Sequence, residues 1–157
     1  MRHVGEAQHL SRLSGIAASV GVVLLLSACA QSYPVRRAPD GDPIEAATAL
    51  SGAPEVVRAS EPENGCGVFI LNQRDDGLPS EAIECLSAAA SSGEPAELAW
   101  SFPTTEGDPI VSFAFTEGSG VVVYTTNAFD SYGGDPQWQR ASCEALTATS
   151  LTGCPAR

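Results

Sequence analysis

Apolar and polar positions change their period along the chain, and each change marks an element. Cys66 to Leu71 is a short, β-branched apolar run that predicts a strand, and Gln73 to Gly77 is a polar turn. Leu78-Pro79-Ser80-Glu81 then opens a helix, with proline tolerated in the first turn and an acid near the positive end of the helix dipole. Ile83, Leu86 and Ala90 share one helical face, Ala82, Cys85 and Ala89 lie beside them, and Gly93 ends the run. From Ala96 the period becomes two: Leu98, Trp100 and Phe102, then Val111, Phe113 and Phe115, then Val121 and Val123. Thr116 to Gly120 reads as a hairpin turn. A last strand runs from Trp138 to Leu146, turns at Thr147 to Ser150 and returns to Cys154.

These elements predict one α+β domain over residues 65–157, a β-α-β unit followed by an antiparallel meander with the helix on one face of the sheet. A crossover of that kind makes the first two strands parallel. The loops 73–77, 103–108 and 127–136 then leave strands running the same way and gather at one end.

Residues 30–64 hold no sustained period and contain Pro34, Pro39, Pro43, Pro54 and Pro62, the composition of a tether. Ile44 to Leu50 allows a helical turn or two, but no core is in sight for it. The tetrapeptide Gly41-Asp42-Pro43-Ile44 recurs as Gly107-Asp108-Pro109-Ile110 with unmatched flanks, so it reads as shared turn chemistry rather than a repeat. As a coil the tether reaches about 30 to 35 Å.

Ahead of the tether, Arg2 and Arg12 precede an apolar stretch from Gly15 to Leu26, shorter than the roughly 20 residues of a spanning helix. Small residues and a cysteine come next, and Leu26-Ser27-Ala28-Cys29 resembles a bacterial lipobox. The resemblance implies that residues 1–28 are a removable signal peptide and that the thiol of Cys29 carries a diacylglycerol. Residues 29–64 would then be the lipidated cysteine and its tether. The protein would be held at the cell membrane by acyl chains, facing outside the cytoplasm, and two or more chains hold stably where one does not.

Removal of residues 1–28 leaves 129 residues, enough for one domain with a modest core. Six arginines then face eighteen acids, a charge of −12 that argues against nucleic acid and against direct docking on anionic lipid. His3, His9 and Met1 all precede Cys29, and the chain has no lysine. The remainder therefore lacks a Ser-His-Asp or Cys-His site, a lysine Schiff base, a P-loop lysine and histidine metal ligands. Carboxylates, hydroxyls, tyrosine and arginine remain.

With Cys29 reserved for lipid, Cys66, Cys85, Cys143 and Cys154 are an even set in an exported domain, without a C-x-x-C step, and predict two disulfides. Four cysteines allow three pairings. The inward helix face lets Cys85 reach back to Cys66, and Cys143 and Cys154 are equidistant from the last turn, so Cys66–Cys85 and Cys143–Cys154 are expected.

The shared loop end would hold Asp75, Asp76, Glu106, Asp108, Asp130 and Asp135, with Tyr132 beside Gly133-Gly134 and Arg74 as the nearest cation. Asp-Pro and Asp-Gly steps are ordinarily turn punctuation. Clustered loop oxygens are also what Ca²⁺ needs, though no EF-hand spacing is present, and a carboxylate pair suits glycosidase-like acid/base chemistry. Glu106, Asp108, Asp130 and Tyr132 are the candidate ligand or metal residues, and no catalytic residue is assigned. The expectation is a non-enzymatic domain binding an envelope protein or polymer, the alternative a carboxylate-dependent hydrolase or calcium-dependent module. Thr105 to Ile110, Asp130-Ser131-Tyr132-Gly133 and the two terminal cysteines resemble small actinobacterial-type lipoprotein domains of unknown function. That resemblance implies location and architecture only.

Overall fold

The structure, a computed structural model, describes residues 38–143. The expected signal peptide, Cys29, Cys154 and the expected return strand of the last hairpin lie outside the described residues. Five strands form one sheet in chain order: β1 (Val68–Ile70), β2 (Glu97–Pro103), β3 (Pro109–Glu117), β4 (Gly120–Thr126) and β5 (Trp138–Cys143). β1 and β2 are parallel, with Phe69 opposite Trp100, and the remaining pairs are antiparallel. The fold is α+β, as the change of period requires. β3 and β4 are joined by a two-residue turn whose first residue, Gly118, has φ +61°, the left-handed conformation a tight hairpin demands.

Three short segments precede the long helix: α1 (Pro43–Thr48), α2 (Glu55–Arg58) and a 3-10 turn (Pro62–Asn64) lead through β1 to α3 (Ser80–Ser92). α3 ends at Gly93, whose φ of +73° lets its N–H reach the carbonyls of Ala89 and Ala90. Its stripe of Ala82, Ile83, Leu86 and Ala90 packs on Leu98, Trp100, Ala114, Val121 and Val123. The Cys66–Cys85 disulfide ties α3 to the chain just ahead of β1. Cys143 is also disulfide-bonded.

In the observed register Leu98 lies opposite Ala114, Ala99 opposite Phe113 and Ala114 opposite Val123, so the apolar run of β3 lies on the other face of the sheet from those of β2 and β4. Val111 and Phe113 therefore point away from α3, into a second core with Ala99 and Phe129. Strand period fixes alternation, but the register decides which side each run covers. One expectation is corrected as a consequence. Residues 43–64 are not tether, because Ile44, Ala47, Ala53 and Val57 are buried on that second face. Asp42 caps α1, its Oδ1 accepting from the N–H of Ile44 at 2.7 Å, and Pro43 opens the helix where no donor is missed. The sheet is thus covered on both sides, by α3 on one and by this N-terminal strap on the other.

Candidate functional site

The parallel β1/β2 step and the subsequent meander put the loops after β1, β2 and β4 at one end of the sheet, and side chains latch them there. The Gln73 amide donates to the carbonyls of Thr104 and Thr105 at 2.8 and 2.9 Å, joining the first loop to the second. Oδ2 of Asp108 accepts from the Ser131 N–H at 2.8 Å, joining the second to the third. Each loop is also closed on itself. Asp75 accepts from the N–H of Asn72 at 2.6 Å. The Thr104 N–H donates to the Asp108 carbonyl at 2.8 Å, while the Asp108 N–H donates to the Thr104 hydroxyl at 3.1 Å. Asn127 spans the third loop, accepting from Gln137 N–H and donating to the Asp135 carbonyl. Oδ1 of Asp130 accepts from Tyr132 and Gly133 N–H at 2.9 and 2.7 Å. A side chain at Gly133 would meet that carboxylate, since a Cβ there falls 2.7 Å from Asp130 Oδ2.

The candidate residues therefore take different parts. Asp108 and Asp130 act as acceptors for backbone N–H groups, holding loop shape. Glu106 is exposed on its turn. Tyr132 stands out with 80% of its surface exposed and does not cap the core; Phe129, three residues earlier, does so from beneath the same loop. Among the described residues no three acidic, histidine or cysteine side chains come together as a metal ion requires. No described helix is long and apolar enough to cross a membrane.

A groove of about 680 Å³ opens at this end, in front of the second face. Ile70, Pro43, Pro103 and Pro109 form its apolar wall, and Asn72 to Asp75 its polar one. Among the described residues Arg74 is its sole cation and has no ion-pair partner. Both copies of the Gly-Asp-Pro-Ile tetrapeptide reach the groove, through Pro43 in one and Gly107 and Pro109 in the other. Ile70, 56% exposed, is the residue that sequence reasoning overlooked. Its signal was its parity: it alternates with Phe69, which joins the α3 core, so it had to point at whatever covers the other face.

Away from this end, Glu97 sits where the 3-10 turn meets β2. Burial is the main cause that lifts its carboxyl above the usual range, and the nearby Glu61 charge adds to this, while the hydrogen bond from Glu61 N–H at 2.6 Å opposes both. Comparison of the chain with family models, with curated proteins and with solved structures gives no match.

Proposed function

We propose that the protein is a cell-envelope lipoprotein, acylated on Cys29 and exposed outside the cytoplasm, whose domain is a non-enzymatic binding module presenting its latched loop end to another envelope component. The observation that carries the binding half is the latching itself. Asp108 and Asp130, the carboxylates best placed for acid/base or metal chemistry, are engaged with loop backbone. The result is a preorganised surface beside a groove, which lowers the ordering cost of binding. The lipid half rests on the apolar stretch and the Leu26-Ser27-Ala28-Cys29 pattern.

The test is the intact mass of the protein purified from membranes of a bacterial host, with and without reduction and alkylation. A mass of Cys29 onward plus acyl chains, with four cysteines alkylated only after reduction, is the expected result. An uncleaved chain of unmodified mass would overturn the proposal.

A further inference from the structure

β1 is an edge strand, and its free side is the feature the latched end leaves unexplained. Leu71 N–H donates to the Ser101 carbonyl and Ala99 N–H to the Gly67 carbonyl, so the groups of Gly67, Phe69 and Leu71 face β2. By alternation the N–H and C=O of Val68 and Ile70 face outward, and among the described residues nothing bonds to them. Beside them the Ile70 side chain opens onto the groove with Pro43 and Pro109. An open row of donors and acceptors next to an apolar trough is the arrangement that takes up an extended polypeptide as an added strand.

The charge around it selects the occupant. Among the described residues, Asp42, Asp75, Asp76, Glu106 and Asp108 line the groove or adjoin its lining residues, against Arg74 as the one cation there. A second copy of this chain, with its net charge of −11, would bring like charge to like. We infer that the β1 edge and its groove receive an extended, basic segment of a partner protein, paired to the backbone of Val68 and Ile70 with an apolar side chain in the groove beside Ile70. The inference rests on the binding-module reading and gives it a partner class.

The test is residue-resolved amide hydrogen exchange on the processed, membrane-extracted protein in detergent. The probes are a seven-residue peptide alternating arginine with valine and its glutamate-for-arginine counterpart. The basic peptide is expected to slow exchange at Val68 and Ile70 at least tenfold, with weaker binding as salt rises, and the acidic one to leave both unchanged. Ile70→Pro removes an outward N–H that the fold itself does not use, at an edge position that tolerates proline. It should weaken binding at least tenfold, read at Val68, with the melting temperature within about 3 °C of the parent. Equal protection by both peptides, or none by the basic one at millimolar concentration, overturns the inference. So does peptide-free protection that grows with protein concentration, which would make the occupant a second copy. Protection confined to 103–108 and 127–136 overturns the edge assignment while leaving the loop-end reading standing, and an unlipidated mass tests that reading separately.

Discussion

The two faces of the sheet are covered by opposite means. On one, a single helix of 13 residues lays down a continuous stripe and is fastened by a disulfide. On the other, two helices of 6 and 4 residues contribute Ile44, Ala47 and Val57, and much of the bulk comes from Val111 and Phe113 of the sheet and from Phe129 of the loop after β4. Helices that short have no independent stability. They are held because Phe113, 1% exposed, needs a cover, so the strap is a consequence of the sheet and α3 is a partner to it.

Substitutions can break or sharpen that contrast. The largest effect is expected at Leu86, fully buried under α3: Leu86→Ala should cost about 3 kcal/mol in denaturant unfolding, and a loss below about 1 kcal/mol would mean that α3 does not anchor its core. Replacing both Cys66 and Cys85 by serine frees a crosslink between residues 19 apart in sequence and should cost about 3 kcal/mol. The same Tm before and after reduction of the parent would deny the disulfide that role. Val57, also fully buried, tests the strap: Val57→Ala should cost about 2 kcal/mol. A neutral result there would return residues 43–58 to the status of tether.

The smallest effect is expected at Glu97, at the junction of strap and sheet. Its raised folded-state pKa means the folded protein holds that proton more readily than the unfolded chain. The contribution to stability is therefore fully present below the unfolded value and lost as pH rises through the folded one. At neutral pH the charge is a burden. Glu97→Gln keeps an acceptor for Glu61 N–H and should raise the melting temperature by about 1 to 2 °C at pH 7, with the gain fading toward pH 4. A gain that grows on acidification would reverse the assigned sign.

The same contrast explains how much of the molecule was legible in its sequence. α3, the hairpin at Gly118, the parallel first pair and the Cys66–Cys85 link arise from local period, turn chemistry and one topological rule, and all are present. The strap was illegible because its cue lies elsewhere, in the unmatched side of β3. The paired tetrapeptides make the point sharply. Asp42-Pro43-Ile44 opens a helix and Asp108-Pro109-Ile110 a strand, each aspartate accepting from backbone N–H groups. Their C-terminal neighbours agree with the two outcomes, the helix-forming Glu45-Ala46-Ala47 against the alternating Val111-Ser112-Phe113. At the loop end, the convergence came from topology, whereas the work of the aspartates did not, because a turn-bracing carboxylate and a ligand look alike in one dimension.

The strap has a mechanical consequence. A pull arriving from the N-terminal side enters the fold at α1, and residues 43–60 share no hydrogen bond with the sheet among the described residues. Such a segment peels contact by contact, and the peeling halts at Cys66, where a covalent clasp begins. Roughly 75 to 80 Å of chain would unreel before tension reached the clasp. The layer beneath would then stand bare, with Phe113 and Phe129 turned to solvent, while the half of the domain under α3 stayed whole.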